Sequence, residues 1–218
     1  MRPGEDEAVS DHAVGNAAFV LALREKGLRD TAVLRAMERV PREAFAPAAR
    51  REQARRDIAL PLPCGATMTA PSTVAIMLSR LKLEVDQRVM EIGTGTGYVT
   101  ALLDRLGAGA VLSLERYRTL AEDAATRLAG LEEVRVVHAD ALAPTLPDGG
   151  FDRILVHGSV EAVPPHWRAA LEPGGRLVTG LSPDGRCRIA TLASPEAEPE
   201  LGPPTRLAAL VPGLARVL

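Results

Sequence analysis

The part of this chain best suited to chemistry is the run Glu91-Ile92-Gly93-Thr94-Gly95-Thr96-Gly97-Tyr98, three alternating glycines just behind a carboxylate. Glycine adopts backbone angles closed to other residues and lets a ligand approach the main chain closely. If a helix begins beyond the loop, its free N–H groups add a site for a carboxylate or phosphate. Glu115 follows roughly 20 residues on, the spacing at which an acidic residue accepts both hydroxyls of a ribose. Asp140 comes after the next apolar segment and offers a third carboxylate.

These residues need a scaffold that brings them to one place. Residues 88–92 read as a buried strand running into the glycines, followed by a helix over 98–106. Residues 110–114 form a second predicted strand, 117–129 a helix, 134–137 a third strand and 152–156 a fourth. A short helix over 164–171 precedes strands at 175–178 and 188–192. Strands alternating with helices imply an α/β fold, a doubly wound and mostly parallel sheet covered on both faces. Only Pro183-Asp184-Gly185 separates the last two strands. That is too short for a crossover, so they are antiparallel neighbours. Glu91, Glu115 and Asp140 then stand at three consecutive strand ends, on the edge where ligands bind in such sheets.

Ahead of the sheet the pattern is helical. Val14, Ala18, Leu21 and Ala22 recur at helical spacing up to a stop at Gly27. Asp30 reads as the N-cap of a helix presenting Val33, Leu34 and Met37 and ending before Pro41. A shorter helical piece is expected from Pro47 to about Arg56. Pro61–Pro63 must be extended or turned, and Pro71 opens a helix through Leu81. The expected organisation is a disordered tail at 1–13, an N-terminal helical extension at 14–82 carrying an active-site segment, a ligand-binding domain at 83–193 and a tail at 194–218. The Pro- and Glu-rich stretch 193–204 reads as an exposed loop.

Two ligand classes fit a glycine loop at such a strand end. A dinucleotide fingerprint is Gly-x-Gly-x-x-Gly, but here the third glycine arrives one residue early and Tyr98 takes its place. Glu91 before the turn is a poor neighbour for a pyrophosphate and a good one for a cation. S-adenosylmethionine carries a sulfonium and an ammonium group, so it is the preferred cofactor and methyl transfer the preferred reaction. Its expected binding residues are Glu91, Gly93, Thr94, Gly95, Gly97, Glu115 with Arg116, and Asp140 with Ala141.

Composition narrows the other classes. Hydrophobic residues at 46% and charged residues at 25% describe a globular chain able to bury a core. Aromatics at 3% are too few for a base-stacking surface. A net charge of −2 supplies no field for phosphate backbones or anionic lipid, so neither nucleic acid nor membrane is an expected partner. The basic cluster Arg50, Arg51, Arg55 and Arg56 reads as a solvated face. Two cysteines, Cys64 and Cys187, suit free thiols in a reducing compartment, and no metal site is suggested. No signal peptide or membrane-spanning run is visible, so the expected location is cytoplasmic.

The chain also resembles the protein-L-isoaspartate (D-aspartate) O-methyltransferases from about Leu21 to Leu181. The resemblance rests on Leu28-Arg29-Asp30, Val33-Leu34, Met37, Val40-Pro41-Arg42-Glu43 with Phe45, Asp57, Leu60-Pro61-Leu62 and Cys64-Gly65. It continues in Val89 through Tyr98, Phe151 through Val156, and Gly174-Gly175-Arg176-Leu177-Val178. It implies a Rossmann-like class I methyltransferase fold and O-methylation of the carboxylate of an abnormal aspartyl residue in a protein or peptide. The ester then cyclises to a succinimide, whose hydrolysis restores some normal aspartate. By the same resemblance Glu115 holds the ribose, Asp140 the adenine amino group and the loop backbone the methionine moiety.

The acceptor side departs from the family pattern. Where that pattern has Gln-Thr-Ile-Ser-x-Pro, this chain has Ala66-Thr67-Met68-Thr69-Ala70-Pro71; where it has Thr-Ala-Ala-Ala, this chain has His157-Gly158-Ser159-Val160. Arg55 replaces a tyrosine, and Ala139-Asp140-Ala141 replaces Gly-Asp-Gly. Thr69 is the candidate catalytic residue, orienting the acceptor, or else caps the helix opened by Pro71. Ala66, Thr67, His157 and Gly158 are the candidate substrate contacts. His138 is expected at a strand end, Trp167 as a helix anchor and Cys64 as an apolar filler. Two alternatives remain: a carboxyl methyltransferase for a modified peptide or small molecule, and a cofactor-binding protein without catalysis. Oligomeric state has no signature in the sequence.

Overall fold

Capping residues and apolar periodicity set the N-terminal elements of the computed structural model, which describes residues 15–146 and 149–215. The expected disordered tail at 1–13, and Val14, lie outside these residues. Helix α1 spans 15–25 and stops at Gly27, whose φ is +89°. It buries Phe19 and Leu23 rather than the expected Ala18, Leu21 and Ala22 stripe, and Leu21 is 58% exposed. The two larger side chains one turn apart outweigh the alanine-rich face, because burial energy scales with apolar area.

Helix α2, Thr31–Arg39, is capped by Asp30, whose side chain accepts from the Ala32 and Val33 N–H groups at 3.1 Å. It buries Val33, Leu34, Ala36 and Met37. After Pro41 comes the single turn α3, Arg42–Phe45, and then a 3-10 helix at Ala48–Gln53. Strands β1, Leu60–Pro61, and β2, Thr67–Met68, form a small antiparallel hairpin. Helix α4, Pro71–Leu81, opens on its proline and buries Val74, Ala75, Met77, Leu78 and Leu81. It lies against the central sheet and also packs on α2.

That sheet comprises β3, Arg88–Ile92; β4, Ala110–Glu115; β5, Val134–His138; β6, Phe151–Val160; β7, Leu171–Leu181; β8, Arg188–Leu192; and β9, Glu200–Pro204. Its order is β5-β4-β3-β6-β7-β8-β9. The first five are mutually parallel, β8 is antiparallel to β7, and β9 is antiparallel to β8. Helices α5, Tyr98–Arg105, and α6, Arg118–Leu128, join β3 to β4 and β4 to β5; α7, Pro165–Ala169, joins β6 to β7. The chain turns to β4 on one side of β3 and to β6 on the other. The crevice at the carboxyl ends of β3 and β6 is therefore the switch point where open α/β sheets bind ligands.

Two further expectations are corrected. Residues 200–204 are the edge strand β9, paired with β8, instead of loop. An edge position tolerates Pro203 and Pro204 because one side of the strand needs no N–H donors. Strand β6 also continues past Val156 to Val160, with a register shift against β7 between Leu155 and Ser159. His157 and Gly158 thus sit within a strand, not beyond its end.

Beyond β9 the chain returns across the carboxyl edge. Ser159 N–H donates to the Ala208 carbonyl at 2.8 Å, and Leu210 N–H to the Ser159 carbonyl at 2.9 Å. Further on, Ala215 N–H reaches the Arg116 carbonyl at 2.9 Å and Arg118 N–H the Ala215 carbonyl at 3.0 Å.

Candidate functional site

The glycine loop leaves β3 still attached to β4, since Gly93 N–H donates to the Leu114 carbonyl at 2.8 Å. Gly93 has φ +91°, and a Cβ there would lie 3.3 Å from His157 Cβ. Gly97 is the left-handed N-cap of α5, and a Cβ on it would come within 2.9 Å of Leu128 Cδ1. Gly97 therefore packs against α6, and it lines neither neighbouring cavity.

The three carboxylates have three different surroundings. Glu115, 5% exposed, accepts from Gly95 N–H through Oε2 and from Tyr117 N–H through Oε1, both at 2.9 Å. It ties the loop to the end of β4 and still lines a cavity. Glu91 is fully buried: Thr100 and Ser113 hydroxyls donate to Oε2 at 2.5 and 2.6 Å, and His157 Nε2 lies 3.1 Å from Oε1. Thr94 Oγ1 completes the network 2.5 Å from Ser113 Oγ. Glu91 lines neither cavity, whereas His157, hydrogen-bonded to it, lines both. Asp140 accepts from Leu142 N–H at 2.9 Å and from Gly213 N–H, in the C-terminal segment, at 2.6 Å.

A cavity of about 220 Å³ lies at the switch point. Gly93, Gly95, Glu115 and Arg116 wall it on the sheet side, Ala66, Thr67, Thr69 and His157 on another, and Leu207 through Val211 cover it. A narrower pocket of about 30 Å³ continues between the loop and the active-site segment, lined by Thr67, Thr69, Thr94 and His157 among others. Eight expected site residues thus meet around the larger space, with Thr94 at the smaller. Asp140 and Ala141 stand outside both, and the Ala141 carbonyl is bound by the Trp167 and His166 rings at 2.7 and 3.0 Å. Gly158 also lies off the walls; a Cβ there would fall 2.4 Å from Leu210 Cδ2, so its small size admits the C-terminal segment.

The Thr69 hydroxyl does not cap α4, whose N-cap is Ala70 with no side-chain hydrogen bond. The segment is held instead by Arg42, 2% exposed. Its Nη1 donates to the Ala54 carbonyl at 2.5 Å, and its Nη2 to the Thr69 and Met68 carbonyls at 2.9 and 3.3 Å. Burial pushes this guanidinium down to about 10, against the opposing influence of Tyr98 and Asp57. Burial pushes the Tyr98 phenol above its ordinary range. Sequence reading used Arg42 only as part of a family motif. No local signal separates Arg42 from its charged neighbours Arg39 and Glu43; only its burial, which obliges a charge to find dedicated partners, does so.

Trp167 is fully buried as an anchor, His138 Nε2 lies 3.0 Å from the Arg116 carbonyl at its strand end, and Cys64 is a buried free thiol. Among the described residues no group of three or more His, Cys, Asp or Glu is placed to hold a metal ion. No helix among them is long and apolar enough to cross a membrane.

The family model of the protein-L-isoaspartate(D-aspartate) O-methyltransferases matches residues 14–199. A protein-L-isoaspartate O-methyltransferase of Rhodopseudomonas palustris (strain BisB18) is 42% identical over 206 residues, 92% of this chain and 94% of that protein. One from Nitrobacter winogradskyi is 43% identical over 206 residues, with the same shares of 92% and 94%. Among solved structures, a protein-L-isoaspartate O-methyltransferase superposes with a TM-score of 0.75 at 26% identity, covering 91% of this chain and 67% of that one. A Plasmodium falciparum structure described as a putative member of that enzyme class shares the fold, with a TM-score of 0.78 at 19% identity over 89% of this chain and 97% of its own. Agreement over nearly the whole length, in sequence and in fold, assigns the chain to the protein-L-isoaspartate(D-aspartate) O-methyltransferase family.

Proposed function

We propose that the protein methylates the carboxylate of L-isoaspartyl residues in damaged proteins or peptides, with S-adenosylmethionine as the methyl donor. The observation that carries this reading is a single cavity shared by the Glu115–Gly95 wall and the Thr69-bearing segment. Cofactor-type and acceptor-type residues therefore face the same space.

The residues present suit the cofactor. Each Glu115 oxygen accepts one backbone N–H, which leaves lone pairs for the ribose hydroxyls. Asp140 is assigned the adenine amino group, and Gly93 and Gly95 admit the methionine moiety against the main chain. Bound there, S-adenosylmethionine supplies an electrophilic methyl group. The chain's own contribution is alignment and exclusion of water, because a carboxylate is already a nucleophile near neutral pH. The Thr69 hydroxyl, with no helix cap to serve, is assigned to hold the acceptor, with Ala66 and Thr67 beside it. Two free cysteines accord with a cytoplasmic setting for this activity.

The test uses labelled S-adenosylmethionine with an isoaspartyl peptide and its normal aspartyl counterpart. Base-labile label on the isoaspartyl peptide alone is the expected result. Cofactor binding without label on either peptide overturns the reading.

A further inference from the structure

Glu91 and His157 form a buried unit beside the methyl-transfer space. The Glu91 carboxylate takes two hydroxyl donors on Oε2, leaving Oε1 to the His157 ring at 3.1 Å. A carboxylate only accepts, so Nε2 of His157 carries the proton in this contact. Nδ1 has no hydrogen-bond partner among the described residues, although the His157 side chain is only 8% exposed. Nδ1 is itself buried, and the residue lines both the larger cavity and the narrow pocket, as Thr67 and Thr69 do. Its position follows from the register shift in β6 between Leu155 and Ser159, which sets this residue behind the glycine loop.

We propose that His157, held by Glu91, is an acceptor-binding residue whose Nδ1–H donates to the carboxylate of the incoming isoaspartyl group. This rests on the functional reading above and adds a specificity contact to it. Among the described residues Glu91 has no lysine or arginine partner, so the pair carries one net negative charge while the imidazole is neutral. An anionic acceptor beside Nδ1 is then accommodated by uptake of one proton, after which both ring N–H groups donate, Nε2 to Glu91 and Nδ1 to the acceptor. The other ionisable groups lining the two cavities are Glu115, Arg116, Tyr117 and Tyr98. Arg116 is directed elsewhere, with its guanidinium over the Tyr117 ring and Nε donating to the Gly213 carbonyl. The methyl ester has lost the charge that sustained the contact, so the product binds less well than the acid. The same contact discriminates against a neutral amide.

Two substitutions separate the ring's two ends. His157→Gln keeps an amide at the ε position, able to stay with Glu91, and removes the group at δ. His157→Asn keeps a neutral amide donor at δ and releases Glu91. Both are expected to bind S-adenosylhomocysteine nearly as the wild type does. For an isoaspartyl peptide, His157→Gln should lower kcat/KM roughly tenfold or more, expressed mainly in KM. His157→Asn should recover part of that loss, because its amide restores a donor at the δ position. In wild-type protein holding S-adenosylhomocysteine, the ¹⁵N signal of His157 Nδ1 should move to the protonated position when the isoaspartyl peptide is added. That measurement stands even if a variant fails to fold. An active wild type with an unmoved Nδ1 signal, or a His157→Gln enzyme with unchanged peptide kcat/KM, overturns this proposal alone. A wild type that binds cofactor but methylates no isoaspartyl peptide overturns the functional reading itself.

Discussion

Gly213 N–H donates to Asp140 Oδ2 at 2.6 Å, so the C-terminal segment holds an oxygen of the carboxylate we assign to adenine. Arg116 Nε donates in turn to the Gly213 carbonyl at 3.0 Å, and Ala215 pairs with both Arg116 and Arg118. At its other end the segment is paired to Ser159. Leu207 through Val211, which include the attachment to Ser159, cover the cavity. The cover is tied mostly by main-chain hydrogen bonds, which can open and re-form as a ligand passes. Removing residues 207–218 should therefore speed dissociation of S-adenosylhomocysteine by about tenfold or more, with a smaller effect on its association. Stopped-flow release from full-length and truncated protein measures this, and equal rates would reduce the segment to a passive edge.

Glu115 is the residue whose removal should hurt cofactor binding most. Its two oxygens already organise Gly95 and Tyr117, and the residue lines the cavity with acceptor capacity to spare. Hydrogen bonds to a charged group contribute about 1.5–3 kcal/mol each. Losing two should weaken S-adenosylmethionine binding by roughly a hundredfold or more in Glu115→Ala. Titration calorimetry decides the matter: unchanged affinity would refute the ribose assignment.

Local signals made much of this architecture legible in the sequence. Asp30 and Pro71 mark helix starts by their own chemistry, and β3 is an apolar run ended by glycines, so all three appear where the sequence puts them. The glycine loop and Glu115 follow from spacing along adjacent elements, whereas Thr69 is indicated only by the family resemblance. What escaped depends on distant partners. Strand β9 has a loop's composition and is a strand because β8 offers it an edge. Glu91 reads as ligand-facing until Thr100, Ser113 and His157 are seen to enclose it. Asp140 meets Gly213 from 73 residues away, a contact that no local pattern encodes.

Arg42 predicts a coupled loss of stability and turnover. Its guanidinium bridges carbonyls of Ala54, Met68 and Thr69, joining the 3-10 region to the segment that carries the candidate acceptor residue. Methionine matches its length and supplies no donors, leaving buried carbonyls unsatisfied at about 1–3 kcal/mol each. Arg42→Met should lower Tm and, below the transition, reduce peptide kcat/KM more than cofactor affinity. Arg42→Lys should rescue only partly, because a single ammonium cannot span carbonyls that a planar fork reaches. A variant with lower Tm but full peptide turnover would limit Arg42 to a structural role.

Asp57 supplies a pH dependence with a definite sign. It accepts from Ser72 N–H at the first turn of α4, at 2.8 Å, and pairs with Lys26 just beyond α1. Burial pushes its carboxyl up, but the Lys26 and Ser72 hydrogen bonds outweigh that and hold it below the ordinary 3.8. A carboxyl with a lowered folded pKa stabilises the protein in its ionised form. Its contribution is complete above the ordinary carboxylate range and disappears as pH falls through the lowered folded value. Asp57→Asn retains an acceptor for Ser72 and loses the charge facing Lys26. The variant should melt below the wild type at neutral pH, and the gap should close in acid below about pH 4. Thermal melts of the two proteins across that range measure it. A gap that persisted unchanged into acid would mean that packing, not ionisation, sets the contribution of Asp57 to joining α1 and α4.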